Sequence, residues 1–127
     1  MNKENLKDKI SKASYIVTQE HGTEAPFSGE LLNTKEEGIF TCVCCGNELF
    51  SSDTKYDSGT GWPSFWDVLN ENSVGEEIDK SHGMIRTEVH CQKCGAHLGH
   101  LFPDGPMPTG KRYCMNSVAM QFKKSEK

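Results

Sequence analysis

Two stretches of this chain, CVCCG at 42–46 and CQKCG at 91–95, spell the same device twice. In C-x-x-C-G a tight turn brings two thiolates onto one ion, and the glycine takes backbone angles that a side chain resists. Two such knuckles supply the four sulfurs of a closed tetrahedral zinc site: Cys42, Cys45, Cys91 and Cys94. Because the knuckles lie far apart in sequence, any fold of this chain must bring two distant turns together around the metal. A site of this kind contributes about 10–16 kcal/mol in apparent terms, comparable to a whole domain's stability. Cys44 is an alternative ligand, but only the 42/45 pair repeats the spacing and trailing glycine of the second knuckle. His97 and His100 continue the three-residue rhythm of Cys91 and Cys94. A Cys2His2 site within one segment therefore stays open, as do reduced cysteines with no metal.

Compartment bears on that choice. The N-terminus, MNKENLKDKI, is charged and has no apolar stretch of signal-peptide type. No segment approaches the roughly 18 apolar residues that span a bilayer. Both points predict a cytoplasmic protein away from membranes, where thiols stay reduced and six cysteines suit metal binding or catalysis. In a secreted chain the same cysteines would fit a disulfide framework. A net charge of −4 with no lysine or arginine cluster argues against a nucleic-acid partner. A length of 127 residues, with 12 glycines and 5 prolines, predicts one loop-rich globular domain over 1–127, frayed at its ends.

Apolar spacing at Leu6, Ile10 and Ala13 predicts helix over 3–20, with a second short segment around Tyr15–Gln19, closed by His21-Gly22. From Pro26 onward short β-like runs take over: GIFTCV, ELFSS, VGEEIDKS, MIRTEVHC, HLGHLF and RYCMNSVAMQF. KSHG reads as a hairpin loop, and PDGPMPTG (103–110) as a turn-rich loop feeding the last strand. In GWPSFWDVLN, Pro63 fits the first turn of a short helix with Phe65, Trp66 and Leu69 on one face. KKSEK reads as a frayed tail.

One cysteine, Cys114 in GKRYCMNS, has no partner at short spacing. In an extended strand Arg112, Cys114 and Asn116 share a face, continued by Val118, Met120 and Phe122. A buried thiol near a strand end is the plain reading. The chemistry at hand suggests more. An ordinary thiol is mostly protonated at neutral pH, and an arginine on the same face lowers its pKa. HLGH adds two imidazoles that can donate protons near neutrality. Aromatic residues in SGTGWPSFW are core at this spacing, except that Trp62 follows the flexible GTG and can wall a pocket.

Taken together, GTEAPFSGE, CVCCGNELFSS, KYDSGTGWPSFW, RTEVHCQKCGAHLGHLFPDGP and TGKRYCMNSVAMQF resemble, in order, the motifs of type B methionine sulfoxide reductases. The resemblance runs from about residue 15 to 122. It implies a mainly β fold, two antiparallel sheets leaning together as a β-tent, with short N-terminal helices and a structural zinc away from the active site. It implies reduction of methionine (R)-sulfoxide in proteins to methionine, a repair reaction. Cys114 would attack the sulfoxide sulfur and become a sulfenic acid. His97 and His100 would hold and protonate the oxygen, Trp62 would hold the S-methyl group, and Arg112 and Asn116 would organise the site.

The implied partners are oxidised proteins and a thioredoxin or small-thiol reductant, with the enzyme acting as a monomer. Many relatives carry a resolving cysteine in DSG-C-GWPSF, where this chain has Thr60. His90 stands where arginine is common. A zinc-ribbon binding module without enzymology would account for Cys42, Cys45, Cys91 and Cys94, but leaves Cys114, HLGH and GWPSFW idle. A papain-like Cys–His–Asn hydrolase would use Cys114 and Asn116, which sit too close in sequence to flank a histidine.

Overall fold

A computed structural model describes residues 9–80, 83 and 85–125. Helix α1 (Lys12–Glu20) is followed by strands β1 (Gly38–Cys42), β2 (Glu48–Ser51), β3 (Lys55–Tyr56), β4 (Ser64–Phe65) and β5 (Val74–Asp79). Then come β6 (Arg86–Cys91), β7 (His97–Phe102), β8 (Arg112–Met115) and β9 (Met120–Lys124). All pairings are antiparallel, in a three-stranded sheet ordered β2-β1-β9 and a six-stranded sheet ordered β3-β4-β8-β7-β6-β5. The mainly β expectation of two sheets is met.

Aromatic rings lock the sheets together. Phe65 of β4 stacks on Phe50 of β2 at 4.3 Å and meets Phe40 of β1 edge-on at 5.0 Å. Tyr113 of β8 lies 5.6 Å from Phe50, and Phe122 of β9 lies 4.9 Å from Phe40. Phe40, Phe50 and Phe65 are wholly buried, so the core is the space between the sheets. Ring pairs of this geometry add roughly 0.5–1.5 kcal/mol each beyond their buried area.

At the N-terminus the Ser11 hydroxyl accepts from the Ser14 N–H and starts α1. His21 closes it in the left-handed conformation at φ 56°, and the Gly22 N–H donates to the Ile16 carbonyl. The closure at His21-Gly22 is as expected. Leu6 lies outside the described residues, as do Ser81, His82 and Met84 of the KSHG region and the final two residues of the tail. The pairing Asp79↔Arg86 nevertheless makes β5 and β6 hairpin neighbours.

Two local expectations fail. GWPSFWDVLN forms no helix: Ser64 and Phe65 are the short strand β4, pairing with β3 and β8. Burial of Phe65 between the sheets outweighs the helical spacing of the apolar residues. RYCMNSVAMQF is two strands, not one. The chain leaves the large sheet at Met115, turns through a 3-10 helix (Ser117–Ala119), and enters the small sheet at Met120. Tyr113 and Met115 are the buried residues of β8, so the face shared by Arg112 and Cys114 points away from the core. Lys123 and Lys124, expected in the frayed tail, pair with β1, and the Ser125 N–H donates to the Glu37 carbonyl.

Candidate active site and metal centre

Each cysteine knuckle is the turn of a hairpin. Cys42 ends β1 and Cys91 ends β6; the Cys42 N–H donates to the Asn47 carbonyl and the Cys91 N–H to Ala96. Gly46 and Gly95 follow at φ 80° and 79°, the region that favours glycine. The likeness extends past the turn. In both hairpins the register slips, between Phe40 and Thr41 and between Val89 and His90. The extra residue is a fully buried leucine, Leu49 or Leu98.

The sulfurs of Cys42, Cys45, Cys91 and Cys94 lie within 4.8 Å of one another. Cys42 Sγ is 3.7 Å from Cys94 Sγ, and Cys45 Sγ is 3.6 Å from Cys91 Sγ. Four bonds of about 2.3 Å in a tetrahedron require sulfur separations of about 3.8 Å. The cluster therefore fits one metal ion. Cys44 stands outside it, buried, with the Gln19 amide 3.6 Å from its sulfur. His97 and His100 lie in β7 and not among these sulfurs, which disposes of the Cys2His2 alternative.

The bulge at Leu98 has a second consequence. Residues three apart in a regular strand point to opposite faces; one extra residue reverses the alternation. His97 therefore pairs with His90, and His100 with Glu88, on one face of the sheet. Their rings come within 5.4 Å. The same face carries Cys114, directly across from His100 on β8 and from Ser64 on β4.

A cavity of about 90 Å³ opens here, lined among others by Cys114, His100, Trp62, Asn116 and Phe102. Trp62 is held by its indole N–H, which donates to the Glu24 carbonyl at 3.0 Å. Asn116 is buried: its backbone N–H and its Nδ2 both donate to the Leu98 carbonyl, and its Oδ1 accepts from the Glu24 N–H. It thus ties the loop before β1 to the bulge of β7. Arg112 forks onto the Asp104 carboxylate at 2.7 and 3.2 Å and lies over the Phe102 ring.

Cys114 was expected to have a lowered pKa. Burial instead pushes the thiol up, and Thr60, Arg112 and Ser64 recover only part of that shift. Arg112 does act in the expected direction, but its charge is shared with Asp104. Thr60 Oγ1 is 3.8 Å from Cys114 Sγ and belongs to a hydroxyl chain through Ser58 to Ser64.

The histidines are oriented by acids that sequence reading missed. Glu88 sits 2.8 Å from His97 Nδ1, and Asp79 sits 2.9 Å from His100 Nε2. A carboxylate only accepts, so those nitrogens carry the protons and the opposite ring nitrogens are left as acceptors. Burial holds the His97 pKa down and keeps its ring neutral. His97 is not among the residues lining the Cys114 cavity; it faces an adjoining one of about 280 Å³, shared with His100. One signal for Glu88 was available: the two-residue alternation of RTEVHC puts Arg86, Glu88 and His90 on one side. Asp79 and Asp104 gave none. The arrangement offers a half-buried thiol, an aromatic wall and two imidazoles of fixed tautomer.

Residues 10–124 match the SelR domain model. The chain is 55% identical over 116 residues to the peptide methionine sulfoxide reductase MsrB of Hahella chejuensis, covering 91% of this chain and 84% of that one. It is 55% identical over 123 residues to the protein of that name from Methanosarcina barkeri, covering 97% and 87%. Against the Escherichia coli O45:K1 protein it is 54% identical, covering 97% and 90%. The crystal structure of the Mis18 'Yippee-like' domain superposes with a TM-score of 0.58 at 19% identity, covering 72% of this chain and all of that one. That likeness speaks to the fold alone. Among the described residues no helix is long and apolar enough to cross a membrane.

Proposed function

We propose a reaction path for this chain, which belongs to the SelR domain family of peptide methionine sulfoxide reductases and reduces methionine sulfoxide. The observation that carries the path is Cys114 in one cavity with Trp62 and with His100 directly across the strand pair. The substrate is methionine (R)-sulfoxide in oxidised proteins. Trp62 takes the S-methyl group against its ring, a favourable contact for a polarizable sulfur substituent. His100 takes the Cys114 thiol proton on its free ring nitrogen and donates it to the sulfoxide oxygen, with His97 behind it as the second imidazole. Arg112 favours the thiolate, and Asn116 holds the loop that carries Trp62's anchor.

Cys114 sulfur attacks the sulfoxide sulfur while the oxygen is protonated through the histidines. The net step is thiol plus sulfoxide giving thioether plus sulfenic acid. The substrate sulfur gains two electrons, the cysteine sulfur loses two, and the oxygen and thiol proton end on Cys114. No outside reagent is consumed in this half. The four-cysteine cluster holds zinc, which the all-thiolate tetrahedral set favours, as a structural ion remote from the chemistry.

A chiral sulfur must present oxygen to the imidazoles and methyl to Trp62 at once. Only the R epimer is therefore expected to turn over; exchanging the two groups would lay a polar oxygen on the indole. Incubation with dithiothreitol and each epimer separately, with methionine as the readout, tests this. Comparable rates on both would refute the assigned pose.

Recycling follows from Thr60. No second cysteine lines the Cys114 cavity, and Cys44 is buried in a knuckle beside the metal ligands. A disulfide needs Cα atoms within about 7 Å. The reductant, thioredoxin or a small thiol, then attacks the sulfenic acid directly, releases water, and a second thiol frees Cys114. After one turnover without external thiol a dimedone-type probe should label Cys114, and Cys44→Ser should cycle at the normal rate. A Cys44–Cys114 disulfide forming at catalytic speed would overturn this cycle.

A further inference from the structure

Beside the Cys114 cavity, the space of about 280 Å³ brings a donor that the reductase path does not use, His21, against His97 and Glu88. His21 Nε2 lies 2.9 Å and His97 Nδ1 lies 2.8 Å from the same oxygen, Glu88 Oε2. The two rings are 5.0 Å apart. His90 Nδ1 stands 3.9 Å from the other carboxylate oxygen, and the carboxylates of Glu77 and Asp79 line the same space. His97 and Glu88 are buried, whereas the His21 side chain is 67% exposed.

From this geometry we propose that His21, Glu88 and His97 form a second metal site, distinct from the four cysteines, for a divalent first-row ion such as nickel, copper or zinc. Two imidazoles with one carboxylate are borderline-soft donors that suit such ions over magnesium or calcium. In a tetrahedron, metal–ligand bonds of 2.0–2.2 Å set neighbouring donors roughly 3.3–3.6 Å apart. The present His21–Glu88 and His97–Glu88 separations need to open by about 0.4–0.8 Å on that basis, and the His21 side chain is exposed. The remaining coordination positions face the cavity and take water.

The ion takes Nδ1 of the neutral His97 ring, so the ring's one proton leaves that nitrogen without any net release. The single ring proton then resides on the opposite nitrogen. A dication on the ring also prevents a second protonation. The metal-loaded ring can no longer relay a proton to the leaving oxygen, so occupancy inhibits the reductase. This consequence rests on His97's part in the proposed path; the site itself does not.

The test uses the zinc-loaded protein and Ni2+ as the probe, with binding read by calorimetry. Cys114→Ser serves as background so that no free site thiol competes. One Ni2+ per chain should bind at micromolar concentration. His21→Asn, chosen because asparagine tolerates the left-handed helix cap, should weaken binding by at least about 10–100-fold, the loss that follows even from removing an outer partner. In the Cys114 protein, single-turnover reduction without added thiol should fall with the same Ni2+ dependence, and His21→Asn should abolish that response. Equal affinity with and without His21, or no saturable binding below millimolar Ni2+, overturns the site. Binding that follows His21 but leaves the rate unchanged supports the site and refutes the relay through His97.

Discussion

Cys91→Ser should yield a chain that retains no zinc and does not hold its fold at ambient temperature. Cys91 is wholly buried, ends β6, and stands 3.6 Å from Cys45 Sγ. A serine hydroxyl there cannot supply the thiolate, and three sulfurs leave the ion open to water. The loss approaches the apparent 10–16 kcal/mol of a structural zinc site, against a net stability of about 5–15 kcal/mol for a domain of this kind. The geometry makes the effect reach the chemistry as well. Cys94 is followed at once by Gly95, Ala96 and His97, so the metal-fixed turn feeds the bulge that brings His97 and His100 to one face. Elemental analysis of purified protein with thermal unfolding by circular dichroism checks this. Cys44→Ser is the control, since Cys44 lies outside the cluster, and should keep its zinc and its transition. Fully active, folded protein containing no metal would end the structural-zinc reading.

How far the sequence carries depends on whether the governing contact is local. The four cysteines of the metal cluster are legible because each pair is set by one short turn, and the turn is written in C-x-x-C-G. Resemblance, not periodicity, assembled Cys114, His97, His100 and Trp62 into one site. Period-2 alternation runs unbroken from Arg112 to Phe122, yet the chain changes sheets at Asn116. The reason is long-range: the Ser117 hydroxyl accepts from the Leu31 N–H, and the Val118 N–H donates to Glu24 Oε1. Nothing within RYCMNSVAMQF announces those partners. Phe65 likewise sits in a sequence that suits a helix and is claimed by Phe40 and Phe50 from another sheet. Glu88 and Asp79 become site residues only through registers across two hairpins, Glu88↔His100 and Asp79↔Arg86. The raised thiol pKa escaped for the same reason. Arg112 is visible two residues from Cys114, whereas the burial that outweighs it is a property of the assembled site.

Cys114→Ser should reduce the single-turnover yield from one methionine per chain to none. The substitution changes one atom on a strand held from both sides, by β4 and β7. The aromatic core lies on the opposite face of β8, at Tyr113, and the four-cysteine cluster shares no residue with the cavity. Fold and metal content should therefore be unchanged. What disappears is the only group in the cavity able to give up two electrons, because a serine oxygen cannot be oxidised to a sulfenic acid analogue. His100→Ala keeps that group and removes the imidazole facing it, so methionine should still form, more slowly by about 10²–10⁴-fold, the range for general acid–base roles. The pair of variants separates the nucleophile from its acid: one loses yield, the other loses rate at full yield. Rapid-mixing assays with the R sulfoxide and no external thiol give both numbers. A Cys114→Ser protein with normal yield would remove the nucleophile from the path, and a His100→Ala protein with normal rate would shift the acid role to His97.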